Sequence, residues 1–354
     1  MISISLCMIL KNEEDVIGRC LDCVKDIVDE IIIVDTGSTD KTKEIVKKYT
    51  NKIYDFKWID DFAAARNFSF SKATKEYIFW LDADEVLLKR DQTKLLDIKK
   101  NLNSSIDTVT MIDHRGLDEN GAPLLRYKRN RLVKRKNNFK WVGFIHEYLG
   151  VNGNVYESEV AITHQKLHDV GDRNLRIYRK KLDEGHKLST RDIYYYGKEL
   201  YYNKFYDDAI KILTEFSNMD VWVEEKIDAM CKVSDCYFFK GDYKNARESI
   251  YKTFEYTSPR AEAVYKLADC FKEEGRYEEA ISWYESIFNL EMPKNCYGFI
   301  SPEYWTWKPH LQLTVCYYTI NKIEKAIKHH NEAYKINPNN EYIAQNEQFF
   351  NNEQ

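Results

Sequence analysis

A chain of 354 residues with 44% hydrophobic side chains has room for two cores, and a formal net charge of −4 gives no basic field for a nucleic-acid partner. No apolar run nears the roughly 18 residues of a spanning helix, so no membrane insertion is expected. The opening MISISLCMIL lacks a basic leader region, and with eight cysteines and no export signal the sequence reads as a cytoplasmic protein with reduced thiols.

The chain changes character midway. Of 26 tyrosines, 20 lie at or after Tyr178. The first half alternates strand and helix signals; the second is almost entirely helical. We therefore expect an α/β domain over residues 1–175 and an all-α domain over residues 176–354.

In chain order, ISISLCMIL predicts a first strand. EEDVIGRCLDCVKDIV follows, with Val16, Ile17, Cys20, Leu21, Val24, Ile27 and Val28 at helical spacing. EIIIVD is a β-branched run suited to a strand buried on both faces. TGSTDKTKEIVKKY opens on cap-type residues and continues as a helix. DDFAAARNFSFSKAT predicts another helix, and YIFWLDADE a further strand. Alternation of this kind predicts a mostly parallel sheet with crossover helices, in which ligands gather at the carboxyl ends of the strands. The polar residues there are Asn12, Glu13 and Glu14; then Asp35, Ser38, Thr39 and Asp40; then Asp82, Asp84 and Glu85. An Asp-x-Asp at a strand end can hold a hard divalent cation, and the cation can bridge a diphosphate.

LCMILKNEE, IIIVDTGSTDKT, DDFAAARNFSF and FWLDADEVL, in this order, resemble the family 2 glycosyltransferases with a GT-A fold, a Rossmann-like and mostly parallel sheet. They resemble in particular the bacterial branch fused to tetratricopeptide repeats. The resemblance covers nearly the whole chain. It implies a nucleotide-sugar donor (a UDP-hexose or UDP-N-acetylhexosamine), Mn2+ or Mg2+, and inversion at the anomeric carbon. Carried onto this sequence, it places Asn12 and Glu14 near the nucleotide base and Asp35 on the base or ribose. Arg66 and Asn67 line the donor pocket. Asp82 faces ribose or sugar hydroxyls, and Asp84 is the main metal ligand. Two bland alternatives stand beside this: Asp35 as a helix cap and Arg66 as a surface ion pair.

From Arg126 to Lys140 the chain carries eight basic residues and no acid. This is a solvated face, or a face from which Arg129 or Arg131 reaches the donor diphosphate or a peptide acceptor. In WVGFIHEYL, Trp141, His146 and Glu147 resemble the tryptophan and His-Glu pair of the same branch. An inverting transfer needs a base to take the acceptor proton. Glu147 is the first candidate and His146 the second. His164, in AITHQKLH, matches the place where the superfamily supplies a late metal ligand, and His168 trails it. CLDC, Cys20 to Cys23, has redox spacing but lies in an amphipathic stretch, and is read as core.

The second half has an internal register. Ala209, Ala246, Ala280 and Ala326 are each preceded at twelve residues by a small residue: Gly197, Ser234, Ala268 and Thr314. Nine before stand Leu200, Tyr237, Phe271 and Tyr317. A period near 34 of this kind resembles tetratricopeptide repeats, with stacked helical hairpins. Pro338 marks the end of the array. The last interval is longer by an aromatic insertion containing Tyr297, Phe299, Tyr304, Trp305 and Trp307. That insertion is read as a loop folded onto the repeats, or as an acceptor-binding or homodimer-forming element.

The expected function is an inverting, metal-dependent transfer of a hexose or N-acetylhexosamine to a Ser, Thr or Cys side chain of a peptide or protein. Flagellin-type proteins and bacteriocin precursors are the acceptors the resemblance suggests. The alternatives are a saccharide or lipid-linked glycan acceptor, and a non-catalytic repeat scaffold with a degenerate transferase domain.

Overall fold

The computed structural model describes residues 1–117, 123–165, 171–293 and 300–352. His168, Tyr297 and Phe299 lie outside them. The chain divides into two compact units: Met1–Gly116 with Arg126–Gly171, and Leu117–Leu125 with Asp172–Gln354. The expected architecture, an α/β part followed by a helical part, is borne out.

The first unit is built on an eight-stranded sheet. Its strands are β1 (Ile4–Leu10), β2 (Glu30–Asp35), β3 (Ile53–Asp55), β4 (Tyr77–Trp80), β5 (Glu85–Val86), β6 (Thr108–Leu117), β7 (Pro123–Lys134) and β10 (Val155–His164), in the order β3-β2-β1-β4-β7-β6-β10-β5. The short pair β8 (Lys140–Val142) and β9 (Tyr148–Gly150) forms a separate antiparallel ribbon. β1 runs parallel to β2 and β4, and β10 parallel to β6; β4 with β7 and β5 with β10 are antiparallel. All six residues of β2 and all four of β4 are buried, as continuous apolar runs in a sheet covered on both faces should be.

The covering helices of this unit are α1 (Ile17–Asp22), α2 (Thr42–Val46), α3 (Phe62–Ser71) and α4 (Lys89–Asn101). α3 starts where Asp61 accepts a hydrogen bond from the Ala64 N–H at 2.8 Å. α1 is shorter than its apolar spacing predicts. After Asp22 the chain continues as turns with mixed bonds, Val24 N to Leu21 O and Ile27 N to Val24 O beside Lys25 N to Leu21 O and Val28 N to Val24 O, and Val24 and Ile27 remain buried. Spacing reports which residues face the core; turns satisfied that demand as well as a helix would.

The second unit is helical: α5 (Arg173–Asp183), then the hairpins α6 (Thr190–Tyr202) with α7 (Tyr206–Ser217), α8 (Val223–Phe239) with α9 (Tyr243–Thr253), α10 (Ala261–Glu273) with α11 (Tyr277–Ser286), α12 (Trp307–Thr319) with α13 (Ile323–Ile336), and finally α14 (Glu341–Asn352). The four register alanines fall on α7, α9, α11 and α13, each fully buried. Gly197 on α6 shows why a small residue recurs: a Cβ there would lie 2.5 Å from Leu213 Cδ2. Pro338 does not end the helical array, because α14 follows it. Tyr304 and Trp305 lie against α10, with Tyr304 packed on Tyr265 at 4.9 Å and Trp305 Nε1 donating to Glu262 at 3.1 Å.

Candidate active site

The ends of β1, β2 and β4 share one edge of the sheet, and the loops beyond them are stitched together. The Asn12 N–H donates to Ser38 Oγ at 3.0 Å, and Asn12 Oδ1 accepts from the Thr39 N–H at 2.8 Å. Glu14 Oε2 accepts from the Lys41 N–H at 2.9 Å. Asn12 has the positive φ, 54°, that Asn tolerates better than most residues. Asn12 and Glu14 thus brace the two loops. Between them lies Asp35, only 2% exposed. Its Oδ2 accepts from the Gly37 and Ser38 N–H groups at 3.0 Å each, with Lys43 Nζ at 3.4 Å. Burial pushes its pKa up, but these donors outweigh that and hold the carboxyl below its ordinary value. Its Oδ1 is buried without a hydrogen-bond partner. Asp35 therefore does more than order its own loop; it presents an unsatisfied acceptor.

Two residues beyond β4, the Asp-x-Asp separates its acids. Asp84 Oδ2 lies 3.0 Å from His164 Nε2, at the end of β10. The pairing of β5 with β10 fixes this meeting, with His164 opposite Glu85 and the Gln165 N–H donating to the Asp84 carbonyl at 2.8 Å. One carboxylate and one imidazole supply two positions of a divalent cation's shell; among the described residues no group of three or more His, Cys, Asp or Glu converges.

Asp82 turns instead to Arg66 on α3. Arg66 Nη2 donates to Asp82 Oδ1 at 2.7 Å, and Arg66 Nε donates to Glu147 Oε1 at 2.6 Å. The guanidinium lies 4.9 Å from the Trp80 ring and 4.7 Å from the Trp141 ring. Burial raises the Asp82 carboxyl pKa, but the fields of Arg66, Arg129 and Arg131 outweigh it and hold the group well below the usual carboxylate range. Asn67 uses both ends of its amide on the backbone of Trp141: Nδ2 donates to the carbonyl at 3.0 Å and Oδ1 accepts from the N–H at 2.9 Å. The loop from Gly143 to Glu147 bends through two positive φ angles, 95° at Gly143 and 49° at His146. A histidine in that conformation is strained. The strain accompanies a tight loop whose Glu147 reaches Arg66.

Arg131 is not on the open side. It is fully buried, with Nη1 and Nη2 donating to Glu85 at 2.7 and 2.6 Å and Nη2 to Asp113 at 3.0 Å. A guanidinium so enclosed and so engaged cannot reach a diphosphate. It locks Glu85, whose Oε2 in turn accepts from the Asp82 N–H at 2.8 Å. Of the two candidate arginines Arg129 is the more open, 4.6 Å from Trp80 and 3.4 Å from Asp113. The rest of the run disperses: Lys128 pairs with Glu157, and Lys134 donates to the Ser104 carbonyl.

Asp113 and Trp80 escaped the sequence reading. Asp113 gathers Arg115, Arg129 and Arg131 on one carboxylate oxygen, and Trp80 is flanked by three guanidinium groups. A signal existed: Asp113 interrupts an apolar strand, and Tyr127, Arg129 and Arg131 alternate at period two on β7. Cys20 and Cys23 are free and serve as packing, Cys23 Sγ accepting from the Leu87 N–H at 3.3 Å.

Residues 5–158 match the family model of Glycosyl transferase family 2, and residues 261–291 match that of the Tetratricopeptide repeat. A TPR repeat-containing protein of Synechococcus elongatus is 46% identical over 95 residues, which is 27% of this chain and 24% of that protein. The glycosyltransferase SunS of Bacillus phage SPbeta is 28% identical over 234 residues, 60% of this chain and 52% of SunS. The chain thus spans a quarter to about half the length of these relatives. The crystal structure of MamA overlays with a TM-score of 0.38 at 19% identity, covering 48% of this chain and 95% of MamA. In sequence order, then, the chain carries a family 2 glycosyltransferase domain and a tetratricopeptide-repeat segment.

Proposed function

We propose that this protein is an inverting glycosyltransferase that moves a hexose or N-acetylhexosamine from a UDP-sugar to a side chain of a peptide or protein. The observation that supports the reading is that Asp35, Asp82 and the Asp84–His164 pair stand at the ends of β2, β4 and β10 on one edge of the same sheet. Asp35 Oδ1, buried and unpartnered, suits a nucleobase N–H. Asp84 and His164 would hold Mn2+ or Mg2+, and the cation would supply charge neutralisation for a departing diphosphate. Asp82 Oδ2 faces sugar hydroxyls. Glu147 serves as the base that receives the acceptor proton, with His146 beside it. Asn12, Glu14, Asn67 and Arg131 act through the loops they fix, and of the basic run Arg129 is the residue able to meet donor or acceptor.

The acceptor follows less directly. The family resemblance favours a peptide or protein, Ser/Thr-linked as in flagellin or Cys-linked as in a bacteriocin precursor, and the SunS relative supports glycosyl transfer. Repeat arrays offer long surfaces that hold extended chains and raise the local concentration of a side chain at the site. No helix among the described residues is long and apolar enough to cross a membrane.

The test is a donor screen. Purified protein is incubated with Mn2+ and each of a set of UDP-sugars and with proteins encoded beside its gene, and read by mass spectrometry. A mass increment of one hexose or N-acetylhexosamine on an acceptor supports the reading. Failure to bind or turn over any nucleotide sugar would favour a non-catalytic scaffold.

A further inference from the structure

Arg66 was expected to line the donor pocket. The geometry points elsewhere, and we infer that Arg66 is a positioning residue, a single planar strut that fixes the acceptor-side carboxylate, Glu147, relative to the donor-side carboxylate, Asp82. The inference rests on the reading of Glu147 as the base.

The two acids come from distant parts of the chain, 16 and 81 residues from Arg66. Each gives one oxygen to the same guanidinium, Glu147 Oε1 to Nε and Asp82 Oδ1 to Nη2. Because that group is rigid and planar, the distance between the two carboxylates is set by its bond geometry. Their other oxygens, Asp82 Oδ2 and Glu147 Oε2, have no hydrogen-bond or ion-pair partner among the described residues, so each carboxylate is anchored by one oxygen and offers the other.

The guanidinium has little freedom to leave. It sits in the angle between Trp80 and Trp141, whose rings meet edge to face at 4.8 Å and 82°. The Trp80 ring is pinned, its Nε1 donating to the Asn130 carbonyl at 2.7 Å, and the Trp141 backbone is held at both ends by Asn67. A third tie joins the same helix to the same loop, the Phe62 N–H donating to the Phe144 carbonyl at 2.9 Å. Helix α3 therefore carries the Glu147 loop at three places, and the Arg66 tie continues to the Asp-x-Asp loop. At 7% exposure Arg66 is no surface ion pair. A buried charged triad stabilises no better than apolar packing of like volume. Its gain is in geometry, where a misplacement of about 1 Å can cost roughly 10²-fold in rate.

The experiment compares Arg66→Gln, Arg66→Lys and Glu147→Gln in the full chain. Binding is measured with UDP and Mn2+ by calorimetry, and transfer with the donor and acceptor found by the screen. For Arg66→Gln we expect kcat for transfer to fall about 10²-fold while the Kd for UDP stays within about threefold. Millimolar methylguanidine added to Arg66→Gln should restore about a tenth of the rate, whereas Arg66→Lys, which lacks the planar fork, should not. Unchanged kcat in Arg66→Gln overturns the inference. So does a loss of UDP affinity in step with transfer, which would make Arg66 a donor contact, or the absence of any rescue, which would make it structural. A thermal double-mutant cycle of Arg66→Gln with Glu147→Gln needs no activity. Non-additive melting midpoints are expected, and additive ones sink the strut. Failure of the base reading looks different: Glu147→Gln would transfer at the wild-type rate while the cycle stayed non-additive.

Discussion

Both units of this protein bury charge, and they do so in opposite ways. In the helical unit the buried charges are periodic. Lys198, Lys232 and Lys266 recur at the repeat interval on α6, α8 and α10, and each finds an aspartate: Lys198 and Lys232 share Asp228 at 3.3 and 3.4 Å, and Lys266 meets Asp235 at 2.5 Å. Lys198–Asp228 ties α6 to α8 and Lys266–Asp235 ties α10 to α8, while Lys232–Asp228 lies within α8. In the α/β unit the buried charges are aperiodic; Glu30, Asp91 and Lys99 lie elsewhere, but others gather toward one sheet edge, and several atoms there lack partners: Asp35 Oδ1, Asp113 Oδ1, Arg115 Nε and Arg131 Nε. Repetition is how a scaffold holds register, although Glu262 Oε2 and Asn337 Oδ1 of the helical unit are also buried without a partner. Convergence with acceptors and donors left over is how a chain holds a place for something else.

The comparison breaks most severely at Asp84. Asp84→Ala or His164→Ala should lower metal-dependent nucleotide release by about 10³-fold, the scale of several kcal/mol of charge stabilisation, with the melting midpoint unchanged. Turnover that survives both substitutions would remove the pair from the chemistry and leave the α/β charges as packing. Next comes Glu147→Gln, for which transfer should drop about 10²–10⁴-fold while UDP still binds. On the helical side the expected effects move stability and spare chemistry. Gly197→Ala forces a Cβ against Leu213 and should cost about 1–3 kcal/mol, read as a melting midpoint several degrees lower with nucleotide release intact. A fall in nucleotide release without loss of stability would show that the array does more than hold register.

The smallest effect is one of pH. His310 Nδ1 faces His329 Nδ1 at 2.8 Å under the ring of Phe288. Burial first, then the His329 neighbour, push the His310 pKa down to about 4. Glu285 and Glu332 oppose that shift at one or both rings, and Lys325 and Lys328 reinforce it. The folded form therefore disfavours the proton that the unfolded chain accepts near its ordinary value. Stability should be full above about pH 6.5 and decline as the pH falls toward 4. His310→Phe should flatten that decline in melts recorded across the range. An unaltered slope would place the proton elsewhere.

How much of this could be read beforehand depends on the range of the interaction. The apolar runs of β1, β2 and β4 and the alanine register of α7 to α13 are local patterns, and they marked core positions correctly even where α1 gave way to turns. Asp84 with His164 could be anticipated only through resemblance, since no local pattern joins positions so far apart. Arg131 was drawn toward the ligand because the eight basic residues look alike in sequence. What separates Arg131 from Arg129 is Glu85, 46 residues away, since both reach Asp113. The two partners of Arg66, Asp82 and Glu147, were hidden for the same reason, as they come from different loops. α14 went unread because Pro338 signals a stop, and a helix can begin again after one.

By itself the sequence determined the two-part architecture, the strands that end in acids and the repeat of about 34 residues, because burial periodicity is written in near neighbours. Tertiary structure alone decided which charges face each other: that Arg131 is spent inside, that Arg66 joins Asp82 to Glu147, and that Asp35 keeps one oxygen unpaired. The reason is that a side chain's electrostatic partner is chosen by distance in space, and the sheet brings together residues that the chain keeps tens of positions apart.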